Sequence, residues 1–193
     1  MHCEPTEITA TLKAGPGLAA WSAARDAVHD ALVDAGKCWA TGAAPHGGRG
    51  WREALEPAVQ PYLGHTYPEL REAALRTLGV YWALPAYRAV ALHLSREDPD
   101  PDVRATALGA WAGYYGRTGD RDAARELAAR LRDPNQPAAV RAVAYRGLLD
   151  VLGHLEQVDA AHVSQLLDVF EDVDGRVDWR LVDRLLNEME VTA

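Results

Sequence analysis

The sequence predicts an all-α fold, an α-solenoid of about four helical hairpins with an N-terminal helix. Three observations predict it: a short pattern that recurs at hairpin spacing, a second helical stretch ahead of each copy, and turn residues between the two. A sustained period of roughly 20–50 residues is the signature of stacked repeats.

The pattern is clearest in three segments that align without gaps. Leu70-Arg71-Glu72-Ala73-Ala74-Leu75-Arg76-Thr77-Leu78 matches Val103-Arg104-Ala105-Thr106-Ala107-Leu108-Gly109-Ala110-Trp111 and Val140-Arg141-Ala142-Val143-Ala144-Tyr145-Arg146-Gly147-Leu148. Each holds an aliphatic residue, then arginine, then alanine three positions on, then larger apolar positions. The arginines recur after 33 and 37 residues, and a weaker copy, Trp179-Arg180-Leu181-Val182, follows 39 later. Helical stretches precede the copies at 51–63, 86–96, 121–132 and 160–170. Asp98-Pro99-Asp100-Pro101-Asp102 and Asp133-Pro134-Asn135-Gln136-Pro137 separate two of the helix pairs, because proline cannot continue a helix and readily opens the next. Hairpins are therefore expected at about 51–82, 84–117, 120–153 and 157–190, in a single domain spanning 16–193. One hairpin cannot bury its apolar stripe alone, so neighbours stack, and small residues such as Ala74, Ala107 and Ala144 permit close helix approach.

The remaining elements lie ahead of the repeats. Residues 1–15 read as a tail or minor edge: Glu7 to Leu12 alternate weakly as a short strand would, and Gly15-Pro16-Gly17 breaks the chain. From Leu18 to Ala35, the positions Leu18, Trp21, Val28 and Leu32 recur at helical spacing, with Gly36 expected as the stop. Residues 41–50 carry four glycines without periodicity and read as a loop.

The repeated residues resemble HEAT repeats, including the short variety found in phycobilisome-lyase-like proteins, over residues 51–190. The first hairpin departs from that pattern with Gly64-His65 where the turn acid belongs, and the fourth has Asp183 in place of the small alanine. The resemblance implies a ladder of turn aspartates and arginines, placing Arg104 with Asp98 and Arg141 with Asp133. It also implies that the second helix of each hairpin lines a concave binding face. On that face Arg76, Gly109 and Arg146 are equivalent, as are Val80, Gly113 and Asp150; Arg117 and Arg184 add further charge. Glycine inside a helix costs about 1 kcal/mol relative to alanine. Gly109 and Gly113 are therefore expected to mark close approach, by a partner or by a neighbouring repeat.

Composition narrows the chemistry. With 48% hydrophobic and 25% charged residues, the 193-residue chain is of ordinary globular composition. No apolar run approaches the roughly 20 residues that span a bilayer, and the start lacks a charged segment followed by an apolar one, so a cytoplasmic location is expected. Cys3 and Cys38 make no disulfide framework and are expected as reduced thiols. The net charge of -8 is uneven: residues 1–65 carry -2, 66–155 carry +1 and 156–193 carry -7. That acidic end, with Asp168, Asp172 and Asp174, favours a basic partner protein and disfavours nucleic acid there.

Motifs for catalysis are missing. The glycines of 42–50 lack the Gly-Lys-Ser/Thr ending of a phosphate loop, and no Gly-x-Ser-x-Gly elbow surrounds Ser22, Ser95 or Ser164. His2, Cys3, Cys38, His46 and His65 have no metal-ligand spacing, so neither metal nor cofactor is expected, and the histidines read as scattered surface groups. One enzyme class stays open by resemblance, the HEAT-like alkylpurine DNA glycosylases, for which Asp150, Asp183, Trp111 and Trp179 would be the pieces. Trp111 aligns with Leu78 and Leu148, which makes it a core residue first. The reading is a protein-binding module, adaptor, scaffold or inhibitor, rather than an enzyme; its partner is another protein, with no membrane contact.

Overall fold

The computed structural model describes residues 4–15, 23–43, 49–155 and 173–191. Among them the regular structure is helical, without a strand. The chain divides into two compact units, Met1–Ala110 and Trp111–Ala193.

The first unit begins with α1, Pro5–Ala14. Its residues Glu7 to Leu12, expected as a weak strand, are helical. Proline in the first turn presets the backbone, Glu7 and Lys13 sit at the ends that suit the helix dipole, and Ile8 and Leu12, four apart, are both buried. In so short a segment Ile8, Ala10 and Leu12 satisfy a two-residue period as readily as a helical one; burial on one face decides.

Helix α2, Ala23–Ala40, buries Val28, Leu32 and Ala35. Leu18 and Trp21, expected in this helix, lie outside the described residues. Gly36 does not stop it. A Cβ there would lie 2.9 Å from Thr77 Oγ1 and closer still to the Tyr81 ring, so the missing side chain permits contact rather than termination. The expected loop 41–50 is described only in part, and α3 already starts at Arg49.

Helix α3, Arg49–Val59, ends in a 3-10 turn, Gln60–Gly64. It buries Trp51, Leu55 and Val59, each four residues from the last. Burying one such side chain stabilises by about 2 kcal/mol. Helix α4, Pro68–Leu75, buries Leu70, Ala73 and Ala74 and widens into a π-helical turn, Arg76–Tyr81. This turn packs on α2: Thr77 Oγ1 donates to the Leu32 carbonyl at 2.7 Å, and Trp82 Nε1 donates to that of Ala35 at 3.2 Å. A 3-10 turn, Pro85–Tyr87, leads into α5, Arg88–Glu97. Helix α6, Pro101–Gly113, opens where expected, its first free N–H groups on Asp102 and Val103 donating to Asp100 Oδ1 at 3.0 and 3.1 Å.

The second unit is built on α7, Arg121–Arg132, and α8, Ala138–Val151. Asp120 caps α7 by accepting the Ala123 N–H at 2.8 Å. Leu127 and Leu131 of α7 and Val140, Ala144 and Leu148 of α8 are fully buried. Gly147 lets these helices close up, since a Cβ there would lie 2.9 Å from Ala112 Cβ and 3.2 Å from Leu127. The short α9, Val173–Arg176, and α10, Trp179–Val191, follow. Val182, Leu185 and Met189 of α10 are buried on one face. The expected helix at 160–170 lies outside the described residues.

Candidate functional site

Arg104 was expected to pair with Asp98 and Arg141 with Asp133, and the observed register differs. Arg71 Nε donates to Asp98 Oδ2 at 2.8 Å and its Nη2 to Oδ1 at 2.6 Å, linking one hairpin's second helix to the next hairpin's turn. Arg104 reaches Asp98 through backbone only, Nη1 donating to the carbonyls of Asp98 at 2.7 Å and Pro99 at 3.1 Å. In the second unit Arg141 Nη1 donates to Asp174 Oδ2 at 3.0 Å and Nη2 to the other oxygen, while Nε donates to the Leu131 carbonyl at 2.9 Å. Asp133, its expected partner, organises its own turn instead, accepting from the Asn135 N–H at 2.9 Å and the Gln136 side chain at 3.1 Å. Arg71 is long enough to do both, holding the carbonyls of its own turn through Nη1 and the carboxylate of the next hairpin through Nε and Nη2.

Electrostatics follow from these contacts. Burial pushes the Asp98 carboxyl up. The hydrogen bonds from Arg71 and the Asp100 N–H, with the charges of Arg71 and Arg104, outweigh it and hold Asp98 below the usual carboxylate value. Hydrogen bonding from Arg141 likewise lowers Asp174. Asp174 was expected among the acids that attract a partner, and it is a ladder residue.

The expected binding residues are mostly exposed. Arg76 is exposed and paired with Glu72 one turn earlier. Val80 is 48% exposed on the π-helical turn. Gly109 is half-buried. Gly113 is exposed at the last turn of α6, and a Cβ there would meet nothing within 4 Å, so this glycine does not mark close packing. Arg146 and Arg184 are exposed. Arg117 and Asp150 are brought together by backbone, the Arg117 N–H donating to the Asp150 carbonyl at 2.8 Å. Arg117 has φ +58, a left-handed conformation that costs a non-glycine residue roughly 1–2 kcal/mol.

Residues 55–149 match the family model described as HEAT repeats. Over that stretch the chain belongs to the HEAT-repeat family. No curated protein and no solved structure matches it at a significant level.

Within the HEAT fold three of the four pieces of a glycosylase site, Trp111, Asp183 and Trp179, make other contacts. Trp111 is 5% exposed and packs at a tilt against Tyr115, with centroids 5.1 Å apart. Asp183 pairs with Arg132 at 2.6 Å, and Trp179 Nε1 donates to the Asp174 carbonyl at 3.1 Å. Among the described residues no group of three or more His, Cys, Asp or Glu is placed to hold a metal ion. No described helix is long and apolar enough to cross a membrane. Cys38 is fully buried and disulfide-bonded, which corrects the expectation of a reduced thiol.

Sequence reasoning missed a groove of about 530 Å³ in the first unit, lined among others by Leu12, Lys13, Pro57, Pro61, Tyr62 and His65. It exists because α1 is a helix, and the Tyr62 hydroxyl holds it by donating to the Leu12 carbonyl at 2.6 Å. The apolar i, i+4 pair Ile8 and Leu12 was the signal available.

Proposed function

We propose that this HEAT-repeat chain is a protein-binding module, an adaptor, scaffold or inhibitor, that docks its partner on the exposed side of its second helices. The observation that carries the reading is the exposure of Arg76 and Arg146, which occupy the same position of the repeat. Their neighbours Leu75 and Tyr145 are spent in the core. Exposed arginines at this register in two of the three aligned repeats, with the half-buried Gly109 in the third, are suited to contact a partner, and arginine is favoured at such interfaces. HEAT repeats are commonly interaction modules, which supports the same reading. The -7 charge of residues 156–193 favours a partner with a basic surface. Asp168 and Asp172 of that stretch lie outside the described residues. Disulfides persist in oxidising compartments, so the bond at Cys38 weighs against the cytoplasmic setting expected from sequence.

The test is affinity capture from the native host, repeated with Arg76→Ala and Arg146→Ala together. Both side chains are exposed, so thermal stability is expected to stay within about 0.5 kcal/mol of the parent. The captured protein should be lost with the double variant and bind the purified parent directly. Capture that survives the double variant would sink the proposed face. Salt-resistant binding of duplex DNA, with base release abolished by Asp150→Asn, would replace the reading with the enzymatic one.

A further inference from the structure

Three turns of the chain share one device. Asp98 Oδ1 accepts the N–H of Asp100 at 2.9 Å, and Asp133 Oδ1 accepts that of Asn135 at 2.9 Å. In the first hairpin, His65 Nδ1 accepts the N–H of Tyr67 at 3.2 Å, again two residues on. The arginine six residues later completes the match: Arg71 Nη1 donates to the carbonyls of His65 at 2.8 Å and Thr66 at 3.1 Å, as Arg104 does at Asp98 and Pro99. His65 therefore stands structurally where the other hairpins have their turn acid. An aspartate accepts this hydrogen bond down to strongly acidic pH, whereas a histidine accepts it only while Nδ1 is unprotonated.

We infer that the first hairpin's turn is a proton-operated latch, closed while His65 is neutral and released when His65 takes up a proton. Protonation converts the acceptor at Nδ1 into a donor that faces the Tyr67 N–H. It also sets a cation beside Arg71, whose guanidinium holds both this turn and Asp98. The surroundings oppose that proton. The half-buried ring lies between Tyr62, at a centroid distance of 5.6 Å, and Tyr67, at 5.3 Å. Of the charged groups facing it, Arg71 on α4 repels an imidazolium and Glu69 on the same helix attracts it. Glu69 is itself engaged by Arg25 of α2 at 3.1 Å. Lys13 of α1 lines the groove that His65 also lines and adds a second positive charge, while the α3 residues of that groove, Ala54, Pro57 and Ala58, do not titrate. Burial first, then Arg71, lowers the histidine's proton affinity, with Glu69 opposing. The released state thus belongs to mildly acidic conditions, below the ordinary histidine value of about 6.5.

The test is nuclear magnetic resonance of the full chain from pH 7.5 to 4.5, following the His65 ring and the Tyr67 amide, beside melting curves of the parent and His65→Asn. An asparagine side chain keeps an acceptor oxygen at every pH. The expected result is a shared midpoint below about 6.5 for the ring and the amide, with the protection of the Tyr67 amide, measured against its intrinsic exchange rate at each pH, at least tenfold weaker beneath it. Part of the parent's fall in melting temperature over this range should be absent from His65→Asn. A Tyr67 amide indifferent to the His65 titration would overturn the latch, and so would an unchanged fall in the asparagine variant. The resonance readout needs no variant, and His65→Asp serves if the asparagine form folds poorly.

Discussion

Arg71 and Asp98 are bound at two points, Nε to Oδ2 at 2.8 Å and Nη2 to Oδ1 at 2.6 Å, with both side chains largely out of water. Removing one member of such a pair leaves the other buried and unmatched, which costs more than the pair contributes. Asp98→Asn is expected to lower unfolding free energy by about 3 kcal/mol in urea titration. Replacing both residues, Arg71→Met with Asp98→Leu, should cost less than the two single changes summed, because no buried charge is left over. Additive losses would show that the two side chains act independently.

The same pair sets a response to acid. The Asp98 carboxyl titrates lower in the folded chain than in the unfolded one, so the unfolded chain takes up the proton first. Its contribution is complete above the ordinary carboxylate value of about 3.9, shrinks as pH falls below it, and is gone once pH passes the depressed folded value. Urea titrations of the parent and Asp98→Asn should therefore converge as pH drops from 5 towards 2. Curves that stay parallel across that range would contradict the assignment.

The repeats were legible because a buried helix face imposes a period: Leu70, Val103 and Val140 recur in sequence and all are buried, at 0%, 1% and 0% exposure. The ladder's register was not. The resemblance paired Arg104 with the Asp98 side chain; stacking instead brings Arg71 to that carboxylate across 27 positions. Gly36 misled for a related reason, since glycine ends helices and also lets elements touch, and only the ring of Tyr81 distinguishes the two uses. His65 was placed at the turn by sequence but read as a departure from the pattern, whereas its imidazole accepts the hydrogen bond that an acid accepts in the other hairpins.

Cys38 should behave as a bonded residue. Because it is disulfide-bonded, alkylation of the unfolded chain without reductant should leave it unmodified, and prior reduction should expose it to the reagent. Reduction is also expected to lower stability on the order of 2–4 kcal/mol, read from melting curves with and without reductant. Alkylation of Cys38 in a chain purified under oxidising conditions would show the bond to be absent.

Three glycines of similar sequence setting should respond oppositely to alanine. At Gly113 a Cβ meets open space at the end of α6, so Gly113→Ala gains helix propensity without a clash, up to about 1 kcal/mol. At Gly147 the new methyl would press on Ala112 Cβ and the Leu127 side chain, and both lie in a packed interior with nowhere to retreat. Overpacking of this kind costs about 1–3 kcal/mol, which exceeds the propensity gain. Gly36→Ala drives a methyl into the Tyr81 ring and towards Thr77 Oγ1, whose hydrogen bond to the Leu32 carbonyl would be strained as α2 moves off the π-helical turn. Gly36→Ala should therefore be the most damaging of the three, and Gly113→Ala should raise the melting temperature. Equal effects from all three substitutions would mean that close helix approach at Gly36 and Gly147 does not hold these hairpins together.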